Sequence, residues 1–227
     1  MNKALHPQLP ARVWRFMRRY PVLPGFIIML LVVMGLFASQ ISPQDPLDSE
    51  ISETGAPPVW VSGGSWDHIL GADHIGRDLL SRIIHGTRIS LMVASVVLTA
   101  GMLVGVTLGI VAGYKGGIWD EIIMRLVDMT YAIPFILVAL VAAVIFGASI
   151  GLVLTLLAIF AWPPFARQTR GLTLQLKHTE YVLSAKISGA STLRIGFRHI
   201  LPGVINIVVV LATLQVGGLI LTESVLS

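Results

Sequence analysis

Residues 129–166 read MTYAIPFILVALVAAVIFGASIGLVLTLLAIFAWPPFA, 38 positions without a single Asp, Glu, Lys or Arg. As one straight helix they would extend about 57 Å at 1.5 Å per residue, against a membrane hydrocarbon core of about 30 Å. The run must therefore fold back on itself. Gly147-Ala148-Ser149-Ile150-Gly151 is the place where turn chemistry allows it. Pro163-Pro164 is then expected to break or kink the second arm near its far end.

Outward from this hairpin, three more charge-free stretches appear: 20–44, 89–114 and 199–222, of 25, 26 and 24 residues. Each is long enough to span a bilayer as a helix. Within 23–38 ten residues are Leu, Ile, Val or Phe, and with no charge opposing them they contribute roughly −3 to −6 kcal/mol to insertion. A cleaved leader, with 12–19 as its basic region, is the weaker reading, because the apolar run exceeds a usual leader core. The whole chain of 227 residues is 55% hydrophobic and only 12% charged, where soluble domains carry about 25% charged residues. A water-soluble globule is excluded. With no cysteine, a disulfide scaffold and thiolate metal sites are excluded too.

The expected fold is an all-α integral membrane protein with spans at 23–40, 89–112, 128–146, 151–166 and 203–222. Segment 1–22 precedes the first span, 41–88 is a loop, and 89–222 forms the core. Orientation follows from the basic residues. With the N-terminus inside, Lys3, Arg12, Arg15, Arg18, Arg19, Lys115, Arg125, Arg167, Arg170, Lys177, Lys186, Arg194 and Arg198 all face the cytoplasm. They are thirteen of the 16 Lys and Arg. Only Arg77, Arg82 and Arg88 lie outside, among seven acidic residues from Asp45 to Asp78. The net charge of +4 is thus a topology signal rather than a nucleic-acid footprint.

The outer loop opens irregularly, with Pro, Asp and Ser residues and Gly63-Gly64. From Ile75 the apolar residues Leu79, Leu80, Ile83 and Ile84 fall at helical spacing, which predicts an interfacial amphipathic helix over 75–87. Gly101, Gly105, Gly109 and Gly113 recur every four residues, so they line one face of their helix and let a neighbouring backbone approach. Asp120, Glu121, Arg125 and Asp128 fall at the inner end of the third span, where Glu121–Arg125 and Arg125–Asp128 have the spacing for local ion pairs. The histidines at 6, 68, 74, 85 and 178 lack metal-ligand spacing and read as ordinary loop residues; no metal site is expected.

The inside loop 167–202 is polar yet patterned. Leu172, Leu176, Tyr181, Val182, Ala185, Leu193, Phe197 and Ile200 give an interrupted helical period, while Gly189 followed by Ser191 fits a helix stop and a new N-cap. Two short helices beyond the bilayer with apolar side chains call for a protein partner. A Ser–His intramembrane enzyme built on Ser149 and His199 fails, because the topology puts them on opposite sides of the membrane.

The stretch from Tyr181 through Ala185, Gly189, Ala190 and Ser191 to Leu201-Pro202 resembles the EAA loop of ABC importer permeases, and more narrowly the dipeptide/oligopeptide/nickel permease family. Ala185, Gly189, Leu201 and Pro202 match the pattern at its spacing; Leu183, Ser184 and His199 stand at its Glu, first Ala and Ile positions. Leu70-Gly-Ala-Asp73-His-Ile-Gly76-Arg77-Asp78-Leu-Leu-Ser81-Arg82 resembles the same family's signature after the first span, and Gly113-Tyr-Lys-Gly116-Gly117-Ile-Trp-Asp120 its entry to the third. The resemblance implies a permease subunit of the prokaryotic inner membrane that moves peptides or similar solutes. Its implied partners are a second permease subunit, two ATP-binding subunits docked on a two-helix cytoplasmic coupling loop, and an extracytoplasmic solute-binding protein. Ala185 and Gly189 would permit close packing in an ATPase cleft. ATP and Mg would be bound by the partners and no cofactor by this chain, which lacks a phosphate-binding loop; Gly109-Ile-Val-Ala-Gly113-Tyr-Lys115 comes nearest and has the wrong arrangement. The family also implies a sixth span beyond Ser227. The alternative, an ion-coupled secondary transporter, would normally carry an acidic residue at mid-membrane.

Overall fold

A computed structural model describes residues 22–226. The expected inside segment 1–22, with its five basic residues and the leader alternative, lies outside the described residues apart from Val22. The helices are α1 (Val22–Leu36), α2 (Ala38–Ile41), α3 (Leu79–Lys115), α4 (Gly117–Ala132), α5 (Phe135–Phe146), α6 (Ile150–Phe160), α7 (Trp162–Leu176), α8 (Glu180–Ile187), α9 (Thr192–Ile195) and α10 (Leu201–Leu226). A π-helical turn, Gly196–Ile200, joins α9 to α10. Among the described residues the only β feature is an isolated bridge between Ala72 and Asp78. The fold is all-α and built for a membrane. Three helical stretches are long and apolar enough to cross one (79–115, 150–176 and 192–225), together with the bent pair α4–α5 and the shorter apolar α1.

The chain divides into two compact units, Met1–Leu91 and Met92–Ser227. In the first, the loop after α2 is more ordered than its composition suggests. Asp73 is its hub: Oδ1 accepts from the backbone N–H of Ile75 (2.9 Å) and Arg77 (3.0 Å), and Oδ2 from the side chains of Arg77 (2.9 Å) and Arg82 (2.5 Å). Burial opposes ionisation of Asp73, but these N–H donors and the Arg77 charge hold its carboxyl well below the usual carboxylate range. Gly76 turns the chain at φ +80°, and a Cβ there would collide with the Glu50 carbonyl. His68 is no ordinary loop residue: it is buried, 3.2 Å from the Asp78 carboxylate.

Four boundaries differ from expectation, each for a local reason. The interfacial helix over 75–87 does not exist separately from the span 89–112. Asp78 caps the helix by accepting from the Ser81 backbone N–H (2.7 Å), and α3 then runs unbroken to Lys115. The span 128–146 is broken at Ile133-Pro134. The residue before a proline is pushed out of the α region; Ile133 is extended (φ −88°, ψ 117°) and α4 and α5 are bent by 74°. A helix break does fall beside Pro163-Pro164, between α6 and α7, but the span does not end at 166. The prolines occupy the first turn of α7, where the missing N–H groups would be unpaired in any case, and that helix continues to Leu176, well into the expected loop. Finally, the span expected over 203–222 has no separate start at 203. The π turn lets the Leu201 N–H reach back to the Gly196 carbonyl, and 192–225 forms one helical stretch of 34 residues.

The second unit packs around a cluster that includes Leu98, Val106, Phe165, Val182, Ile195, Ile200, Val204 and Val208. The four glycines of α3 lie along α7. A Cβ on Gly101 would stand 2.9 Å from the Ala161 Cβ, one on Gly109 2.6 Å from the Ala166 carbonyl, and one on Gly113 2.6 Å from the Thr173 Cβ. Backbone thus meets backbone over about three turns, and dispersion between the two helices replaces the hydrophobic drive that lipid cannot supply. Opposite this strip Thr169 is fully buried, and its Oγ1 has no hydrogen-bond partner. Replacing an unsatisfied hydroxyl by a methyl of similar shape removes a desolvation cost. Thr169→Val is expected to stabilise the protein by about 1 kcal/mol, read as a higher thermal midpoint in detergent; a lower midpoint would show that the hydroxyl finds a partner.

Candidate functional site

Residues 177–202 form a two-helix element whose inner face is anchored in the core and whose outer face is bare. α8 ends in a Schellman cap. The Ala190 N–H bonds the Ala185 carbonyl (3.0 Å) and the Gly189 N–H the Lys186 carbonyl (3.1 Å). Gly189 takes φ +79°, the left-handed conformation that favours glycine. Ser191 then caps α9, its Oγ accepting from the Arg194 N–H (3.4 Å). The sequence stop-and-start at Gly189 and Ser191 is therefore a rigid corner. A Cβ on Gly189 would meet nothing within 4 Å, so within this chain the glycine answers to backbone conformation rather than to crowding.

Val182 and Ile195, each 1% exposed, are the feet of α8 and α9 in the core, and the fully buried Ile200 follows in the π turn. The Tyr181 hydroxyl donates to the His199 carbonyl (3.4 Å), bracing α8 against the π turn. Ala185 and Ala190 are half-buried, as is Leu201, while Pro202 is exposed at the first turn of α10. On the outer face Ile187 is 88% exposed, Leu193 73% and Phe197 65%. Burying each of these side chains against a partner is worth about 1.5–3 kcal/mol.

Charged struts connect this region to its neighbours, and here the local spacing misled in part. Glu121 pairs with Arg125 as expected (2.6 Å), but Asp128 pairs with Arg167 (2.6 Å) instead of Arg125. Asp120 accepts from two nitrogens of the Arg170 guanidinium, Nε at 2.5 Å and Nη2 at 2.6 Å. The Lys177 ammonium donates to the Gly113 carbonyl (3.0 Å) near the C-terminal end of α3, a favourable place for a cation. Two of the basic residues that indicated orientation thus tie α7 to α4, and a third ties the chain after α7 to α3. No short-range pattern announces partners 39, 50 and 64 residues apart.

Membrane-length apolar helices packed through a glycine strip, with exposed apolar side chains on α8, α9 and the π turn, define a multi-pass membrane protein. Residues 105–227 match the family described as binding-protein-dependent transport system inner membrane component, and the chain belongs to that family of ABC importer permeases. It is 39% identical over 218 residues to the glutathione transport system permease protein GsiD of Pectobacterium atrosepticum, covering 94% of this chain and 69% of that protein. The dipeptide transport system permease protein DppC of Bacillus subtilis is 38% identical, over 89% of this chain and 61% of its own length. The oligopeptide transport system permease protein OppC of the same organism is 35% identical, over 88% and 64%. The chain thus spans about two thirds of these relatives' lengths.

Proposed function

We propose that this chain forms half of the pathway of an ATP-driven importer for peptides or similar small solutes, paired with a second permease subunit. Two ATP-binding subunits dock on the platform around Gly189 and carry ATP and Mg; a solute-binding protein delivers substrate on the other side. The observation that carries this reading is the asymmetry of the platform: Val182, Ile195 and Ile200 are locked inward while Ile187, Leu193 and Phe197 stand uncovered. Because 192–225 is one helical stretch, a push on Leu193 or Phe197 moves the last span directly, with no loop between to absorb it. Tyr181, Ala185, Gly189, Ala190 and Ser191 hold the corner through which α8 moves with it.

The distribution of basic residues supports a prokaryotic inner-membrane protein with the platform in the cytoplasm, and the relatives' names support peptides, including glutathione, as cargo. They also favour ATP over an ion gradient as the energy source. Uptake of labelled Ala-Phe by cells making this chain with its partner subunits should stop when ATP is depleted at a constant membrane potential. It should persist when ion gradients are collapsed at constant ATP. The opposite pattern would establish the ion-coupled alternative.

A further inference from the structure

The bend between α4 and α5 opens the backbone at mid-membrane depth. α5 has 12 residues and is about 18 Å long at 1.5 Å per residue, too short by itself for a core of about 30 Å. Its first ring, Phe135, packs edge-on against Phe160, 5.3 Å between centroids. Phe160 lies about 15 Å along α6 from Ile150. Its neighbour Ala161 packs on Gly101, the thirteenth of the 26 charge-free residues 89–114. Both counts put the break about half-way through the bilayer, and Tyr131, Ala132, Ile133 and Pro134 are all exposed there.

No side chain caps the start of α5, and the Thr130 hydroxyl is taken by the Leu126 carbonyl of its own helix (2.8 Å). The Leu137 and Val138 N–H groups both turn back to the Pro134 carbonyl (3.1 and 3.4 Å). The N–H groups of Phe135 and Ile136 and the carbonyls of the last turn of α4 therefore have no partner within their own helices. Hydrocarbon cannot supply one, and opened backbone at this depth persists only where protein or water meets it.

A second observation favours water. Just over a turn before the break, Asp128 pairs with Arg167 (2.6 Å), yet the two side chains stay 70% and 54% exposed. Arg167 is about 26 Å from Ile150 along the 150–176 stretch, still within the core. Its guanidinium lies 4.9 Å from the centre of the Tyr131 ring, so ion pair, phenol and opened backbone form one continuous strip. Charges this uncovered are costly in hydrocarbon, and ionisable groups at membrane depth mark solute paths.

We infer that this strip, Asp128 with Arg167, Tyr131 and the backbone of 132–134, faces water in the assembled importer and forms part of the wall along which the solute crosses the middle of the membrane. Its open N–H and carbonyl groups exchange hydrogen bonds with the amides of a short peptide whatever the peptide's side chains. This deepens the importer reading of the proposed function and rests on it.

The chain has no cysteine, so a single introduced thiol on it reports its own surroundings. A thiol reacts as the thiolate, which water permits and apolar surroundings suppress. Ala132→Cys and Ile133→Cys are made separately in the full chain, assembled with its partner subunits in nanodiscs and treated with a sulfonate-bearing methanethiosulfonate. The product is read as mass added to this chain. Both thiols should be modified, Ala-Phe should slow the modification, and the modified transporter in proteoliposomes should lose its Ala-Phe uptake. Ala142→Cys, at a buried position of α5, is the comparison. Silence of both thiols, or modification no faster than at Ala142→Cys, overturns the inference and leaves the strip covered by lipid or a partner subunit. Modification that Ala-Phe does not slow and that leaves uptake intact overturns it as well. If one variant does not accumulate, the other decides. If the unsubstituted transporter takes up Ala-Phe on ATP while both thiols stay silent, the inference fails and the importer reading stands; if it takes up none, the importer reading itself fails.

Discussion

Gly105→Leu is expected to unfold the pairing of α3 with α7. A Cβ at this position would stand 2.6 Å from the Phe165 Cβ and 3.0 Å from the Ala166 backbone nitrogen, and would also press on the Trp162 carbonyl. Two of these obstacles are backbone atoms, so no rotamer change relieves them. The helices must separate, and every contact of the four-glycine strip separates with them. Overpacking in a well-packed interior costs about 1–3 kcal/mol and more where backbone must move, so a loss of at least about 3 kcal/mol is expected. The check is the thermal midpoint of the purified protein in detergent. Gly217→Leu is the control, since a Cβ at Gly217 meets nothing within 4 Å in this chain. Equal midpoints for the two variants would show that the strip does not hold the bundle together.

The second large effect concerns the platform. Ile187→Glu combined with Phe197→Glu should leave folding intact, because both side chains are mostly exposed and their neighbours Val182, Ile195 and Ile200 keep the buried anchor. Binding of the ATP-binding subunits should fall by more than about a hundredfold, since central apolar anchors of an interface are worth about 2 kcal/mol or more each and a carboxylate cannot be desolvated there cheaply. The readout is co-purification of the ATPase subunits, with uptake measured in parallel. Undiminished co-purification would move the docking surface elsewhere on the chain. Gly189 carries a different kind of constraint. Its φ of +79° makes any side chain strained regardless of space, so a loss of function at Gly189 alone cannot distinguish a blocked cleft from a deformed corner. The exposed positions can.

Some of this architecture is readable from the chain without coordinates. Helices need about twenty apolar residues to cross a bilayer, so the charge-free runs announce themselves. A glycine every fourth residue makes a flat helix face whatever lies against it. Gly189 and Ser191 signal a stop and a start because caps are made by residues within one turn. Signals of this kind fail where two local preferences compete. The paired prolines at 163–164 could end one helix or begin the next, and the structure has them begin α7. The break at Ile133 was available from the proline at 134, but the unbroken hydropathy around it concealed the bend. Asp120, Asp128 and Glu223 show the larger gap. Glu223 is nearly buried, although it sits in a nearly apolar sequence whose only warning is its own charge.

What the residues dictate alone is everything governed by solvent and by neighbours within a turn or two: the membrane environment, the helical character, the glycine face and the corner at Gly189. Which helix meets that face, which arginine answers Asp120 and Asp128, and what surrounds Glu223 are matters of the packed bundle. Those contacts join positions dozens of residues apart, and their energy exists only once the chain has brought them together.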